Sequence, residues 1–323
     1  MQNIKSFITA ARDTGVTPEE WIELDNKYIE NFNKKNNFKI MIEDKDLYKT
    51  HIEKAFRYVT SDQYLIRLDN KSKKYHDYGQ EITNQGSKNV DKMDFKSVGW
   101  MTKTVVNANG IKADQYFSLL MDNYREIIDD YIEYIKKLFS KDDSIGKPNL
   151  SSHEIFGKTC SNNLQYLYES FHILDHIKKL GIDDLDIVEI GGGYGGLSFF
   201  LKNLSKKIYD ININSYSLFD IEEAQELLNQ YSNFMNLGLK VFNINSDFNI
   251  KDNSFLISNY SFGEIEEEYQ KLYNDKLFKF INHGYITWNF SPFNFKLINN
   301  IKFKNDIIIE GQNYRNNDII VKF

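Results

Sequence analysis

The chain has 323 residues, 41% of them apolar and 15% aromatic, enough for one large domain or two ordinary ones with packed cores. Its formal net charge of −6, with acids and bases mixed along the chain, argues against the clustered basic surface that holds nucleic acid. No apolar run approaches the ~20 residues that span a bilayer, the opening stretch MQNIKSFITAARDTG lacks the apolar run of a signal peptide, and the single cysteine, Cys160, has no internal partner; a reducing, cytoplasmic setting away from membrane is expected.

The first 149 residues read as helical and irregular. Thr17-Pro18-Glu19-Glu20 is a helix start, with Thr as N-cap, Pro in the first turn and Glu closing a capping box. A helix through Trp21, Leu24, Tyr28 and Ile29 follows, and a second amphipathic segment covers Asp46 to Val59. The polar stretch from Asn70 to Asn89 reads as a long loop or a partly ordered segment. The clearest helix runs from Ala113 to Phe139, where apolar residues from Phe117 to Leu138 recur at three- and four-residue spacing. The stretch KDDSIGKPN, Lys141 to Asn149, reads as a linker, so a helical cap or oligomerisation region over 1–149 is expected ahead of a second domain over 150–323. A homo-oligomer formed through the N-terminal helices is the expected assembly.

From residue 150 short β-branched runs alternate with amphipathic helices. A helix over Ser161–Leu180 leads to a strand at Asp186–Ile190, a glycine-rich turn and a helix to Leu204. Strands are predicted at Ser215–Asp220, Leu239–Asp247, Ser254–Tyr260 and Gly284–Phe290, with helices over Ile221–Asn236 and Glu264–Asn282. Two closing strands, Asp306–Gly311 and Asp318–Phe323, lie too close for a crossover helix and are predicted to pair antiparallel. The alternation dictates an α/β fold, a Rossmann-like, doubly wound sheet. Seven strands with the last antiparallel resemble the layout of a class I methyltransferase, and that resemblance supplies the strand order.

Five of the chain's 17 glycines fall between residues 191 and 196. Gly191, Gly193 and Gly196 fit G-x-G-x-x-G, which alone would suit NAD, because glycine lets a ligand approach the backbone at a helix start. Three acids favour S-adenosylmethionine instead. Glu189 makes the string E-x-G-x-G-x-G to Gly195; an acid there suits the ammonium of a methionine moiety and repels a pyrophosphate. Asp220, 29 residues after Gly191, ends the second strand, where it can accept from ribose hydroxyls. Asp247 is expected to end the third strand and to meet the adenine amino group, with Phe248 as a stacking neighbour. Tyr194 in the loop and Ile221 after Asp220 complete this set. Singly, Glu189 could be a solvent-facing acid and Asp220 a helix N-cap.

The stretches IVEIGGGYGGL, YSLFDIEEAQELLNQY and SNYSFGEI resemble the sugar O-methyltransferase family of bacterial and viral polysaccharide clusters, over about residues 150 to 323. That family carries a G-G-G-Y-G-G loop, then F/I-D-L/I-P-E-A, then S-N-Y-A-F-S-E. Here Glu222 stands where the family usually has proline, and Gly263 where it often has serine; the second difference bears on substrate contacts. The resemblance implies methyl transfer from S-adenosylmethionine to a hydroxyl of a sugar, nucleotide-linked or within a glycan. The competing readings are an NAD-dependent oxidoreductase and a non-catalytic glycan-assembly protein that kept the fold.

A sugar hydroxyl needs positioning and a base that takes its proton as the new bond forms. Of six histidines, His283 belongs at the amino end of the fifth strand, His172 and His176 lie in the helix feeding the first, and nothing places His51 or His76. His153, in SSHEIFGKTCSNN, precedes the start of a helix whose beginning lies at the strand carboxyl edge; it is the favoured base, with Glu154 as partner or alternative. Gly157 and Lys158 are placed to meet the methionine carboxylate. Asn259, Tyr260, Ser261 and Glu264 follow the fourth strand, where Glu264 could act as base or bind sugar hydroxyls. Trp288 could stack on a sugar, though a core aromatic is the simpler reading. Magnesium is left open: Asp247 and Glu264 could contribute, but no compact acidic triad stands out.

Overall fold

In the computed structural model the described residues are Lys96, 110–265, 267–289, 301, 303, 305, 308–311 and 318–323. The predicted helices before Ala113, with the oligomer contact assigned to them, lie outside these residues.

Strands buried on both faces need continuous apolar runs, and the chain supplies them. In chain order the elements are α1 (Gly110–Asp143), β1 (Ser151–His153), β2 (Gly157–Thr159), α2 (Ser161–Lys179), β3 (Asp184–Ile190), α3 (Gly196–Leu204), β4 (Asn212–Phe219), α4 (Glu222–Met235), β5 (Lys240–Phe242), β6 (Ser254–Asn259), α5 (Glu267–Lys276), β7 (Ile281–Asn289), β8 (Ile308–Gly311) and β9 (Asp318–Lys322). Seven strands form one sheet in the order β5-β4-β3-β6-β7-β9-β8. β6 lies parallel to β3 and to β7, β5 is parallel to β4, and β9 is antiparallel to both β7 and β8. Because consecutive strands step away from β3 and then return to its other side, β3 and β6 flank the switch point at which open α/β sheets bind ligands.

Among the described residues the chain divides into two compact units. One holds Asp186–Gly191 and everything from Ile244 onward, so it contains nearly all of β3 with β6, β7, β8 and β9. Its core includes Ile187, Val188, Leu256, Ile257, Tyr285, Ile286 and Trp288, all essentially inaccessible. The other unit holds Lys96, residues 110–185 and Gly192–Asn243. There α1 packs on α2 through Tyr124, whose ring meets Phe171 and Tyr168 and whose hydroxyl donates to Asp175 at 3.1 Å. Tyr124 is also where α1 kinks, with φ −132° and ψ 19°.

Three departures from the predicted elements bear on the site. The third strand was expected to reach Asp247 but stops at Phe242, because Phe242 is paired with Phe219, the last residue of β4; beyond it this edge strand has no ladder partner. The helix predicted over Glu264–Asn282 is a 3-10 turn at Phe262–Glu264, α5, and a second 3-10 turn at Phe278–Phe280. The segment SSHEIFGKT forms a hairpin with His153 opposite Gly157, an element the sequence did not announce. The two closing strands pair antiparallel as expected.

Candidate active site

The glycine loop joins β3 to α3. Its backbone enters the left-handed region at Gly191, Gly193 and Gly195, with φ of 77°, 58° and 98°. Such a path favours glycine at each point. Gly191 is also sterically fixed, because a Cβ there would overlap the Ser261 side chain. At Gly193 a Cβ would meet nothing within 4 Å, so this part of the backbone is open to a ligand.

Asp220 sits against that open turn. Its Oδ2 accepts from the Gly193 amide at 3.0 Å and its Oδ1 from the Ile221 amide at 2.8 Å. Its own amide donates to the Phe242 carbonyl, and the Phe219 and Phe242 rings stack at 5.3 Å. A carboxylate held by backbone amides on both oxygens is fixed in orientation, and it is the kind of acceptor a ribose diol needs. Ile221 is 43% exposed, an apolar surface beside the acid. Asp220, Ile221 and Gly193, each assigned to the cofactor from the sequence, are thus in contact.

In the other unit Glu189 is buried at 2% exposure near the end of β3, level with Ile257 on β6. Ser258 ties the two strand ends together: its hydroxyl donates to the Ile190 carbonyl at 2.9 Å and accepts from the Phe262 amide at 3.0 Å. Asn259 accepts from the Thr287 hydroxyl at 2.8 Å. Tyr260 is held at φ 57°, an uncommon conformation for a tyrosine, while its amide donates to the Thr287 carbonyl. Such positions cluster at functional sites. Asp247 is exposed in the coil after β5, away from the strand end where it was expected, and Phe248 beside it is half-buried. Glu264 closes the 3-10 turn. Trp288 has no exposed surface, so it is a core residue and offers no face to a sugar. A Cβ on Gly263 would press on the Trp288 indole at 2.7 Å, which accounts for glycine where the resembling family often has serine.

His153 lies in the β1–β2 hairpin. Its Nε2 is 2.9 Å from Ser151 Oγ, and its ring stacks on Phe117. Burial lowers its pKa below the ordinary 6.5, against the opposing pull of Asp114. At neutral pH the imidazole is therefore uncharged and able to accept a proton. Glu154 and Lys158 are exposed on the same hairpin. His172 stacks on Tyr168 within α2, His176 is buried near its end, and His283 lies early in β7, as expected for residues outside the site.

Tyr194 differs from its neighbours in the loop. Its side chain is wholly buried and donates to Asp142 at 3.2 Å, so only its backbone is left for a ligand. Asp142 also accepts from Tyr231 at 2.7 Å and pairs with Lys96 at 2.7 Å. These partners are not apparent in the sequence, where Asp142 falls in KDDSIGKPN, a stretch that reads as a linker. Among the described residues, the acids and thiol that converge as a metal could require are Asp142, Asp143 and Cys160. The Lys96 ammonium already neutralises Asp142, and burial raises the Cys160 thiol's pKa well above its ordinary value. This set does not suit magnesium, which prefers oxygen donors and water.

The strand order, the antiparallel β9 and the glycine loop after β3 define a class I methyltransferase fold. No family model matches the chain, and no curated protein matches it. Among solved structures it is similar to a candidate RNA methyltransferase from Pyrococcus horikoshii, with 17% identity and a TM-score of 0.35 over 48% of this chain and 80% of that one. It is similar to a candidate S-adenosyl-L-methionine-dependent methyltransferase from Methanococcus maripaludis, with 14% identity and a TM-score of 0.37 over 49% and 87%. The plantazolicin methyltransferase BpumL, solved with SAH and a monoazolic desmethylPZN analog, is similar at 14% identity and a TM-score of 0.29, over 55% of this chain and 58% of that one. Among the described residues, no helix is long and apolar enough to cross a membrane.

Proposed function

We propose that the protein is an S-adenosylmethionine-dependent O-methyltransferase whose acceptor is a sugar hydroxyl, nucleotide-linked or within a glycan. The observation that carries the cofactor reading is the Asp220 carboxylate fixed on the Gly193 amide at an open, left-handed glycine turn. The sugar acceptor rests on the family resemblance of the loop and of SNYSFGEI.

S-adenosylmethionine would supply a methyl group on a sulfonium, electrophilic enough for direct displacement by oxygen. Asp220 would accept the ribose hydroxyls, and Ile221 and Phe248 would offer apolar surface to the base, with Asp247 near its amino group. Glu189 would meet the ammonium; a buried acid at this position would repel a pyrophosphate, which disfavours NAD. The backbone of Gly191, Gly193, Tyr194 and Gly195 allows close approach, and Lys158 would meet the carboxylate. Asn259 and Tyr260 are further proposed ligand-binding residues.

His153 is the proposed base, because it is uncharged near neutral pH and only partly buried. It would take the hydroxyl proton as the oxygen attacks; Glu264 and Glu154 are its alternatives. The buried free Cys160 fits a reducing, cytoplasmic setting.

The test has two parts. Calorimetry should show binding of S-adenosylhomocysteine and none of NADH; the reverse would overturn the cofactor reading. A panel of UDP-, GDP- and dTDP-sugars, read by mass spectrometry, should then show one sugar gaining a single methyl. Methylation of a non-sugar acceptor alone would retain the enzyme class and reject the substrate class.

A further inference from the structure

We infer that Lys96 and Asp142 are positioning residues: together they clamp Tyr194, and through it hold the glycine loop in its ligand-receiving conformation. The effect on ligand affinity rests on the cofactor reading above; the effect on the loop does not.

Asp142 is the second-last residue of α1 and is wholly buried. One carboxylate gathers three donors. Lys96 Nζ and the Tyr194 hydroxyl share Oδ2, at 2.7 and 3.2 Å, and the Tyr231 hydroxyl takes Oδ1 at 2.7 Å. Tyr194 lies mid-loop, whereas Tyr231 is on α4, the helix that follows Asp220. The two rings meet edge to face at 5.1 Å, and a Cβ on Gly195 would press on Tyr231 at 3.1 Å. Both elements that frame the open turn at Gly193 are therefore tied to one acid.

That acid is badly placed without Lys96. The end of a helix carries partial negative charge, and Asp143 stands next to it. Lys96 answers both: its ammonium also donates to the Asp142 carbonyl at 2.6 Å and lies 4.8 Å over the Tyr194 ring. Its backbone amide donates to the Gly146 carbonyl at 2.9 Å, which fixes the segment just past α1. Removing the cation leaves a buried, uncompensated carboxylate, which must take a proton or move. In either case it ceases to hold both phenols as it does now.

The experiment uses Tyr194→Phe, Tyr231→Phe and Lys96→Met in the full chain. The two Phe variants delete only a hydroxyl and should fold. Hydrogen exchange of residues 191–196 is read without ligand, and S-adenosylhomocysteine affinity by calorimetry. Exchange in the loop should quicken in Tyr194→Phe and Lys96→Met, and affinity should fall about five- to tenfold in Tyr194→Phe, the loss expected for one buried hydrogen bond. A Lys96→Met/Tyr194→Phe double variant should lose less than the two singles combined. Loop exchange at the wild-type rate in both single variants would overturn the clamp, even if their melting temperatures fell. Wild-type protein that failed to bind S-adenosylhomocysteine would instead sink the cofactor reading, and loop exchange would still decide the clamp.

Discussion

Gly193 donates its amide hydrogen to Asp220 across 3.0 Å, joining the turn after β3 to the acid after β4. The acid is thus oriented before any ligand arrives. Asp220→Asn keeps the size but makes one terminal atom a donor and removes the charge. Loss of charge-assisted bonds to two hydroxyls should weaken S-adenosylhomocysteine binding by about ten- to a hundredfold, from ~1.5–3 kcal/mol. Titration calorimetry checks this; unchanged affinity would remove Asp220 from the ligand set.

Gly191 makes a different demand. Its φ of 77° disfavours any side chain, and Ser261 occupies the place of a Cβ. Gly191→Ala should cost ~1–2 kcal/mol for the left-handed backbone and ~1–3 kcal/mol for overpacking. Adding Ser261→Gly should recover the overpacking part and leave the backbone part. Urea denaturation of the two variants separates these contributions. A double variant no more stable than Gly191→Ala would show that the collision with Ser261 is not the cause.

The Gly263–Trp288 contact yields a similar test. Gly263→Ser restores the residue common in the resembling family but drives its Cβ into a fully buried indole. It should destabilise the fold by ~1–3 kcal/mol. In a Trp288→Phe background the same change should cost less, because the smaller ring vacates the Nε1 edge. Equal costs in both backgrounds, measured by thermal denaturation, would show that Trp288 does not select glycine at this position.

The alternation of strands and helices made the sheet legible, since each apolar run and its crossover helix is a local pattern. The positions of Glu189, Gly191 and Asp220 at strand ends were legible for the same reason: each is defined by its distance from such an end. The failures were non-local. The alternation in VFNINSDF reads as a strand, yet pairing stops at Phe242 because β4 has ended opposite it. Asp142 looked like one charge among several in a linker. Its burial depends on Lys96, Tyr194 and Tyr231, which lie 46, 52 and 89 residues away. The hairpin around His153 is two three-residue strands, too short for periodicity to show.

Asp143 predicts a pH dependence of stability. Burial, and then the neighbouring Asp142 charge, raise its pKa from 3.8, against the hydrogen bonds from Thr159 and Cys160. The folded state therefore holds a proton that the unfolded chain releases at lower pH. This contribution to stability is complete below 3.8 and is lost as pH rises through the raised folded value. Asp143→Asn removes the titration, and the 2.7 Å bond from Thr159 can still be accepted by the amide oxygen. Denaturation midpoints across pH 3 to 7 should slope less in the variant than in the wild type; superimposable slopes would assign the dependence to other groups.

His153 shifts the other way, and its consequence is catalytic. Burial lowers its pKa below 6.5, so the neutral form that can accept a proton persists to more acidic pH than for an exposed histidine. If it is the base, kcat/KM should hold at neutral pH and fall only below 6.5, on the limb where the imidazole becomes charged. His153→Gln keeps a polar side chain of similar reach and cannot take the proton. It should lower kcat by about a hundredfold or more and abolish the acid limb, with S-adenosylhomocysteine affinity unchanged. Ser151→Ala, which removes the hydroxyl 2.9 Å from Nε2, should move the limb without removing it. A His153→Gln variant that kept both its rate and its acid limb would transfer the role to Glu264 or Glu154, which Glu264→Gln and Glu154→Gln would then resolve.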